Sequence, residues 1–165
     1  MVGDDALRGR AIGTVAVGRP RPVGSPRGAR GQVETAVAEI EIDATWVDAL
    51  DGIEEFSHIW VLWWLDRLEE PPVARHVHPE RRQELPLVGF FATRSPHRPF
   101  PIGLTAVRLL ERQGGRLVVE GLDAFEGTPV LDIKPYLRRG DLIAEAGAPA
   151  WLEWLWKIHD EEREE

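Results

Sequence analysis

The sequence predicts a mainly β fold: a single-domain β-barrel with short helices and a C-terminal helix. Three observations carry this expectation. Several segments alternate apolar and polar residues with the period of two that belongs to strands. One of them, Phe56 to Leu65, is apolar on both of its alternating faces, as suits a barrel strand whose outer surface is itself covered. Finally, 165 residues of which 43% are hydrophobic suffice for one core without staples. A chain of about 150 residues buries roughly 68–70% of its unfolded surface.

Met1 to Gly9 read as a disordered leader, followed by a barrel domain over 10–145 and a C-terminal helix and acidic tail over 146–165. Arg10 to Val17 alternate as a short strand. Gly18 to Gln32 holds three prolines, four glycines and four arginines, too few apolar groups to pack, so a long mobile loop is expected. Val33 to Ile42 reads as a strand with a slip in its alternation, and Thr45 could cap a short helix through Leu50. In Phe56–Leu65, Ile59, Val61, Trp63 and Leu65 share one face, and Trp60, Leu62 and Trp64 the other. Burying both faces makes dimerisation a serious expectation. Strands follow at Leu87–Thr93, Ile102–Glu111, Arg116–Gly121 and Val130–Lys134, with Gly114 and Gly115 as a tight hairpin turn. A helix could begin at Pro149, with Trp151, Trp154, Leu155 and Ile158 on one face. The tail Asp160–Glu165 reads as a solvated end.

The absence of cysteine excludes disulfides and cysteine-based zinc or iron–sulfur sites. The longest strongly apolar run, Ile59 to Leu65, is far short of the roughly 18 residues of a membrane span, so the expectation is a cytoplasmic protein with no membrane partner. A net charge of -8 argues against unselective coating of nucleic acid, yet the charge is unevenly spread. Between Ala6 and Val33 there is no acid, whereas from Glu34 to Glu70 eleven acids face Arg67 alone. The arginines at 19, 21, 27 and 30 are either a solvated basic loop or a patch for phosphate.

Common cofactor signatures fail: there is no G-x-G-x-x-G between strand and helix, no Walker A and no G-x-S-x-G elbow. His76 and His78 share a strand face but sit in a charged, proline-flanked loop with no carboxylate geometry that supports a site, and no metal is expected. The informative stretch is Ala92-Thr93-Arg94-Ser95-Pro96-His97-Arg98-Pro99-Phe100-Pro101-Ile102-Gly103-Leu104. Its prolines cannot join a ladder; they stiffen an extended loop and hold Arg94 and Arg98 as cations for a carboxylate or phosphate. A rigid connector whose arginines pair with surface acids is the competing reading. A second constellation runs from Gly121-Leu122-Asp123 to Gly127-Thr128-Pro129-Val130-Leu131-Asp132-Ile133-Lys134-Pro135-Tyr136. Asp132, Lys134 and Tyr136 share one face of a strand, either as an ordinary ion pair or, with Asp123, as the lining of a cavity.

FSHIWVLWWL, ATRSPHRPFPIGLTAV, GLDAFEGTPVLDIKPY and the preceding DALDGIEEFSH together resemble the TsaA-like family, also called TrmO, of S-adenosylmethionine-dependent tRNA methyltransferases, over about Ile12 to Asp141. The resemblance implies a dimeric barrel that binds S-adenosylmethionine without a Rossmann fold and methylates N6 of threonylcarbamoyladenosine beside the anticodon of a tRNA. It assigns the cofactor loop to Arg94, Ser95, Pro96, Arg98, Pro99, Phe100, Ile102 and Gly103, with Asp132, Lys134, Pro135 and Tyr136 closing the site. Asp132 or Tyr136, with Asp123 third, would orient the acceptor amine and take its proton. Arg94 and Arg98 would meet the cofactor carboxylate or RNA phosphate, and Arg19, Arg21, Arg27 and Arg30 the anticodon loop. The family loop usually reads R-P-N-P-I-G, so Phe100 stands in place of an amide; the R-S-P-F-like stretch after the first strand is here Val17-Gly18-Arg19-Pro20-Arg21-Pro22. Longer members continue into a small second domain where this chain has a tryptophan-rich helix. These departures admit two alternatives: methylation of a small molecule, or a non-catalytic module that binds tRNA or S-adenosylmethionine.

Overall fold

The computed structural model describes residues 10–18, 36–67 and 75–164. The leader over 1–9, the start of the second strand at 33–35 and the basic residues Arg19, Arg21, Arg27 and Arg30 lie outside the described residues. In chain order the strands are β1 (Gly13–Val17), β2 (Val37–Ile42), β3 (His58–Trp64), β4 (His76–Val77), β5 (Val88–Gly89), β6 (Ile102–Gln113), β7 (Arg116–Glu120) and β8 (Pro129–Pro135). The helices are α1 (Arg138–Asp141) and α2 (Ala150–Glu164), with short 3-10 turns between. The chain divides into two compact units, Met1–Arg67 with Pro101–Tyr136 and Leu68–Phe100 with Leu137–Glu165.

The first unit is a closed barrel in the order β1-β2-β7-β6-β3-β8, every pairing antiparallel. Closure leaves no sheet edge to cover. Alternation does the sorting: Ala38, Ile40 and Ile42 of β2, Ile59 and Val61 of β3, Leu117 and Val119 of β7 all point inward and are buried. Val15, Val107, Leu122 and Val130 complete the same cluster. The expected hairpin turns at Gly114, whose φ of 61° is the left-handed conformation that glycine adopts at no steric cost. Trp63 ends the inward row of β3, donating its indole N–H to Thr105 Oγ1 at 3.1 Å. It lies directly opposite Gly103, where any Cβ would collide with the indole ring.

Arg112 ties the end of β6 to the segment that follows β2. Its guanidinium donates to the carbonyls of Leu50, Val47 and Gly114 at 3.1, 3.2 and 3.1 Å, and to Asp51 and Glu54 at 2.9 and 3.2 Å. Its pKa is raised, first by the hydrogen bond to Asp51. Glu54 is correspondingly lowered, first by a backbone hydrogen bond and then by Arg112.

Three local readings change. Over the described part of the second strand the expected slip is absent: β2 alternates cleanly from Val37 to Ile42, and the extra residue is Ala16 on β1, where Val15 faces Ile40 and Val17 faces Glu39. The segment 44–50 is a 3-10 helix preceded by Asp43, with no side-chain cap from Thr45. The strand expected over Leu87–Thr93 stops at Gly89. Phe90–Ala92 form a 3-10 turn, and the Thr93 hydroxyl donates to the Phe90 carbonyl at 2.9 Å, a local bond that competes with the ladder.

In the second unit β4 and β5 pair antiparallel, and His78 Nδ1 lies 2.8 Å from the carbonyl of Leu85. The helix α2 starts just after Pro149, whose carbonyl accepts the Leu152 N–H at 2.9 Å. Of its expected stripe, Leu155 is buried and Trp151 and Ile158 are half-buried, but Trp154 is exposed, as is Trp156. His159 Nε2 meets Glu80 Oε2 at 2.9 Å. Among the described residues, no helix is long and apolar enough to cross a membrane.

Candidate functional site

Residues directly opposite each other in an antiparallel pair lie on the same face of the sheet. The registers of β6, β3 and β8 therefore set out three rows on the barrel's outer wall. Arg108, His58 and Tyr136 form the first, since His58 pairs with Arg108 and its carbonyl accepts the Tyr136 N–H at 3.0 Å. Ala106, Trp60 and Lys134 form the second, and Leu104, Leu62 and Asp132 the third. The opposite face of β3 carries Ile59 and Val61, both at 0% exposure in the core. The sheet thus keeps one apolar face for the barrel and spends the other on aromatic, cationic and aliphatic groups.

A bulge is needed to produce this wall. Leu62 faces Asp132 and Trp63 faces Val130, so β8 carries one extra residue at Leu131. Without it, either Val130 would leave the core or Asp132 would enter it. Asp132 Oδ1 accepts its neighbour's Ile133 N–H at 2.9 Å, and Oδ2 meets Lys134 Nζ at 2.6 Å. Both partners are substantially exposed, so the pair orients two charges more than it stabilises the fold. The Tyr136 ring packs 5.4 Å from Trp60, tilted by 49°, and 6.4 Å edge-on from His58. His58 Nδ1 lies 3.0 Å from Ser57 Oγ. Asp132, Lys134 and Tyr136 do share a face, as their spacing implies. Asp123 is exposed in the 121–128 connection, where Gly121 and Gly127 have φ of 93° and 80°. Nearby, the Arg67 guanidinium donates to the Glu126 carbonyl and sits 5.3 Å from the Phe125 ring centre.

The proline-rich loop belongs to the second unit up to Phe100. Its conformation is set by its own side chains. Thr93 Oγ1 accepts the Ser95 N–H at 3.1 Å, and Ser95 Oγ accepts the His97 N–H at 3.3 Å. Arg98 donates through Nε to the Ser95 carbonyl at 2.9 Å and through one terminal nitrogen to the Thr93 and Phe90 carbonyls at 2.6 and 3.4 Å. Its guanidinium is thereby largely occupied as an internal clip. Arg94 is exposed and makes no hydrogen bond or ion pair among the described residues, leaving its charge available. Pro96 is half-buried, whereas Pro99 and Phe100 are exposed, the latter at 56%. Beyond the loop, Ile102 opens β6 and is exposed, whereas Gly103 is buried beneath Trp63.

The sequence reading does not single out His58, Trp60 or Arg108 as site residues. Trp60 and His58 stand in a motif whose alternation is legible, but which residues of β6 and β8 flank them depends on the register. Among the described residues, no group of three His, Cys, Asp or Glu side chains could hold a metal ion.

The profile of the tRNA-methyltransferase O N-terminal domain family matches residues 20–142. Two archaeal proteins named as probable S-adenosyl-L-methionine-binding proteins are similar. One, from Archaeoglobus fulgidus, is 44% identical over 75% of this chain, and the other, from Methanothermobacter thermautotrophicus, 45% identical over 81%. The chain spans 32% of the first and 92% of the second. A Rattus norvegicus tRNA (adenine(37)-N6)-methyltransferase is 41% identical over 67% of this chain, which spans 24% of that protein. The crystal structure of TrmO from P. aeruginosa superposes with a TM-score of 0.66 at 32% identity, covering 86% of this chain and 59% of that one.

Proposed function

This chain belongs to the tRNA-methyltransferase O N-terminal domain family, and on that premise we propose that it methylates N6 of threonylcarbamoyladenosine beside the anticodon of a tRNA, acting as a cytoplasmic homodimer. The methyl donor is S-adenosylmethionine, for which the archaeal relatives are named. The observation that carries the reading is the family match itself, because residues 20–142 take in both the proline-rich loop and the β8 motif.

The chain's residues suit that donor. Arg94, its charge unengaged among the described residues, offers a counterion for a carboxylate. The aromatic faces of Trp60 and Tyr136 offer an electron-rich surface to a cation. When bound, the donor supplies an electrophilic methyl on a sulfonium sulfur. Ser95, Pro96, Arg98 and Pro99 keep the loop stiff, Phe100 and Ile102 give it an apolar rim, and Lys134, held by Asp132, presents a fixed ammonium. Gly103 acts indirectly, as the seat of Trp63. Asp132, Tyr136 and Asp123 are the acids and hydroxyl available to orient the acceptor amine. Holding the reacting atoms in line supplies roughly 7–11 kcal/mol of barrier reduction without a strong base. Arg19, Arg21, Arg27 and Arg30 are proposed to meet the anticodon stem-loop, which requires affinity to fall as salt rises.

The test is transfer of labelled methyl from S-adenosylmethionine to bulk tRNA from cells lacking the modification, followed by mass analysis of nucleosides. One added methyl on threonylcarbamoyladenosine is the expected product. A second reading, a module that binds S-adenosylmethionine without transferring its methyl, is favoured by the names of the two archaeal relatives. Donor binding without any methylated nucleoside would select it.

A further inference from the structure

We propose that His58, oriented by Ser57, accepts the proton released when the acceptor nitrogen is methylated; this rests on the methyltransferase reading above. Methylating an exocyclic N–H leaves one proton to remove. As the N6–carbon bond forms, the carbon–sulfur bond of the sulfonium breaks and its electron pair stays on sulfur. The N6 proton passes to an imidazole nitrogen, and from there to water, so no oxidant or further reactant is needed.

The outer wall formed by β6, β3 and β8 holds few groups able to take that proton. Asp132 already has Ile133 N–H on one oxygen and the Lys134 ammonium on the other. The neutral Tyr136 phenol can donate or accept a hydrogen bond but is too weak a base to take the proton outright. Lys134 and Arg108 are cations with no lone pair to offer. His58 is exposed on that wall, directly opposite Tyr136 and beside Trp60. Its Nδ1 lies 3.0 Å from Ser57 Oγ. With the Nδ1 proton donated to that hydroxyl, the Nε2 lone pair is directed away from the serine, and the tautomer is the one that a base requires. The backbone fixes the dyad, since the Ser57 carbonyl accepts the Leu109 N–H at 2.9 Å and the His58 carbonyl accepts that of Tyr136.

The charged and titratable groups around His58 are Arg108 opposite it on β6, with Glu120 3.7 Å from that arginine, and Tyr136, Lys134 and Asp132 on β8.

The test compares wild type, His58→Gln, Ser57→Ala and Ser57→Thr in the full chain, using S-adenosylmethionine and tRNA that carries threonylcarbamoyladenosine. His58 is exposed, so its replacement spares the core, and thermal unfolding checks this. His58→Gln is expected to lower kcat by about 10²–10³-fold with donor affinity unchanged, and to abolish the loss of rate on acidification. Ser57→Ala is expected to lower kcat several-fold, with Ser57→Thr restoring it. Independently of turnover, the ¹⁵N spectrum of the ligand-free wild type should report an Nδ1–H tautomer at His58 that Ser57→Ala loses. A His58→Gln variant with wild-type kcat and the same acidic limb overturns the proposal while leaving the methyltransferase reading intact. A wild type that binds the donor but methylates no tRNA overturns both.

Discussion

Two stretches of the same barrel wall, built over the same core, present opposite chemistry. Outside β2 and β7, charges answer one another: Arg116 lies 3.2 Å from Glu39 and 3.3 Å from Glu41. Outside β6, β3 and β8 stand Leu104 at 54% exposure, Leu62, Trp60 and Tyr136, with Lys134 and His58 among them. Inward, the two stretches are alike, with Ile40, Leu117, Ile59 and Val61 all at 0% exposure. The difference teaches that the fold is specified from inside, while the outside is free to be a charged, ion-paired wall in one place and an aromatic, aliphatic wall in another. Exposed ion pairs are worth about 0–1 kcal/mol, so the first wall is sparingly coupled to stability. Contiguous exposed apolar groups rimmed by charge are what a ligand or partner site looks like.

The inner face gives the largest effects. Ile59→Ala should destabilise the barrel by about 2–5 kcal/mol, through lost burial and the cavity left among Val61, Val107 and their neighbours, read as a fall in the denaturation midpoint. A loss below about 0.5 kcal/mol would mean that the two faces are not as different as the exposure pattern implies. Gly103→Ala comes next. Its Cβ must displace the Trp63 indole, at a cost of about 1–3 kcal/mol, with a shift in tryptophan fluorescence as the ring moves. If this variant instead lost activity at unchanged stability, Gly103 would be a ligand contact rather than a seat for Trp63.

The smallest effect lies at the Arg112 clip. Glu54 has its pKa lowered, first by a backbone hydrogen bond and then by Arg112, so its stabilising contribution is present above its ordinary value of 4.5 and is lost as pH falls through the depressed one. Wild type should therefore lose thermal stability on acidification in that range more steeply than Glu54→Gln. Identical pH dependence would remove the clip from the stability of the fold.

Much of the barrel is legible in the sequence because alternation and turn chemistry are local. Ile59 and Val61 against Trp60 and Leu62 define β3, and Gly114 at positive φ supplies the hairpin. What is not legible is register. Nothing local to β8 says that Leu131 is the bulged residue, and only that bulge lets Val130 and Asp132 point to opposite sides. The same limit hides His58 and Arg108, which join the face of Tyr136 through the pairings His58–Arg108 and His58–Tyr136, 50 and 78 residues apart in sequence. Arg94 and Arg98 look equivalent in sequence, as two cations in a proline-rich loop. They separate in the structure, because the side chain of Arg98 folds back onto the carbonyls of Phe90, Thr93 and Ser95.

The contrast between the walls is tested most directly by removing one cation from each and measuring methyl transfer from S-adenosylmethionine to tRNA carrying threonylcarbamoyladenosine. Lys134→Ala should lower kcat/KM by at least about 10-fold, the worth of one charge-assisted contact. Arg116→Ala should stay within about twofold of wild type. Equal losses in the two variants, or full activity in Lys134→Ala, would contradict the assignment of the β6–β3–β8 wall as the working surface.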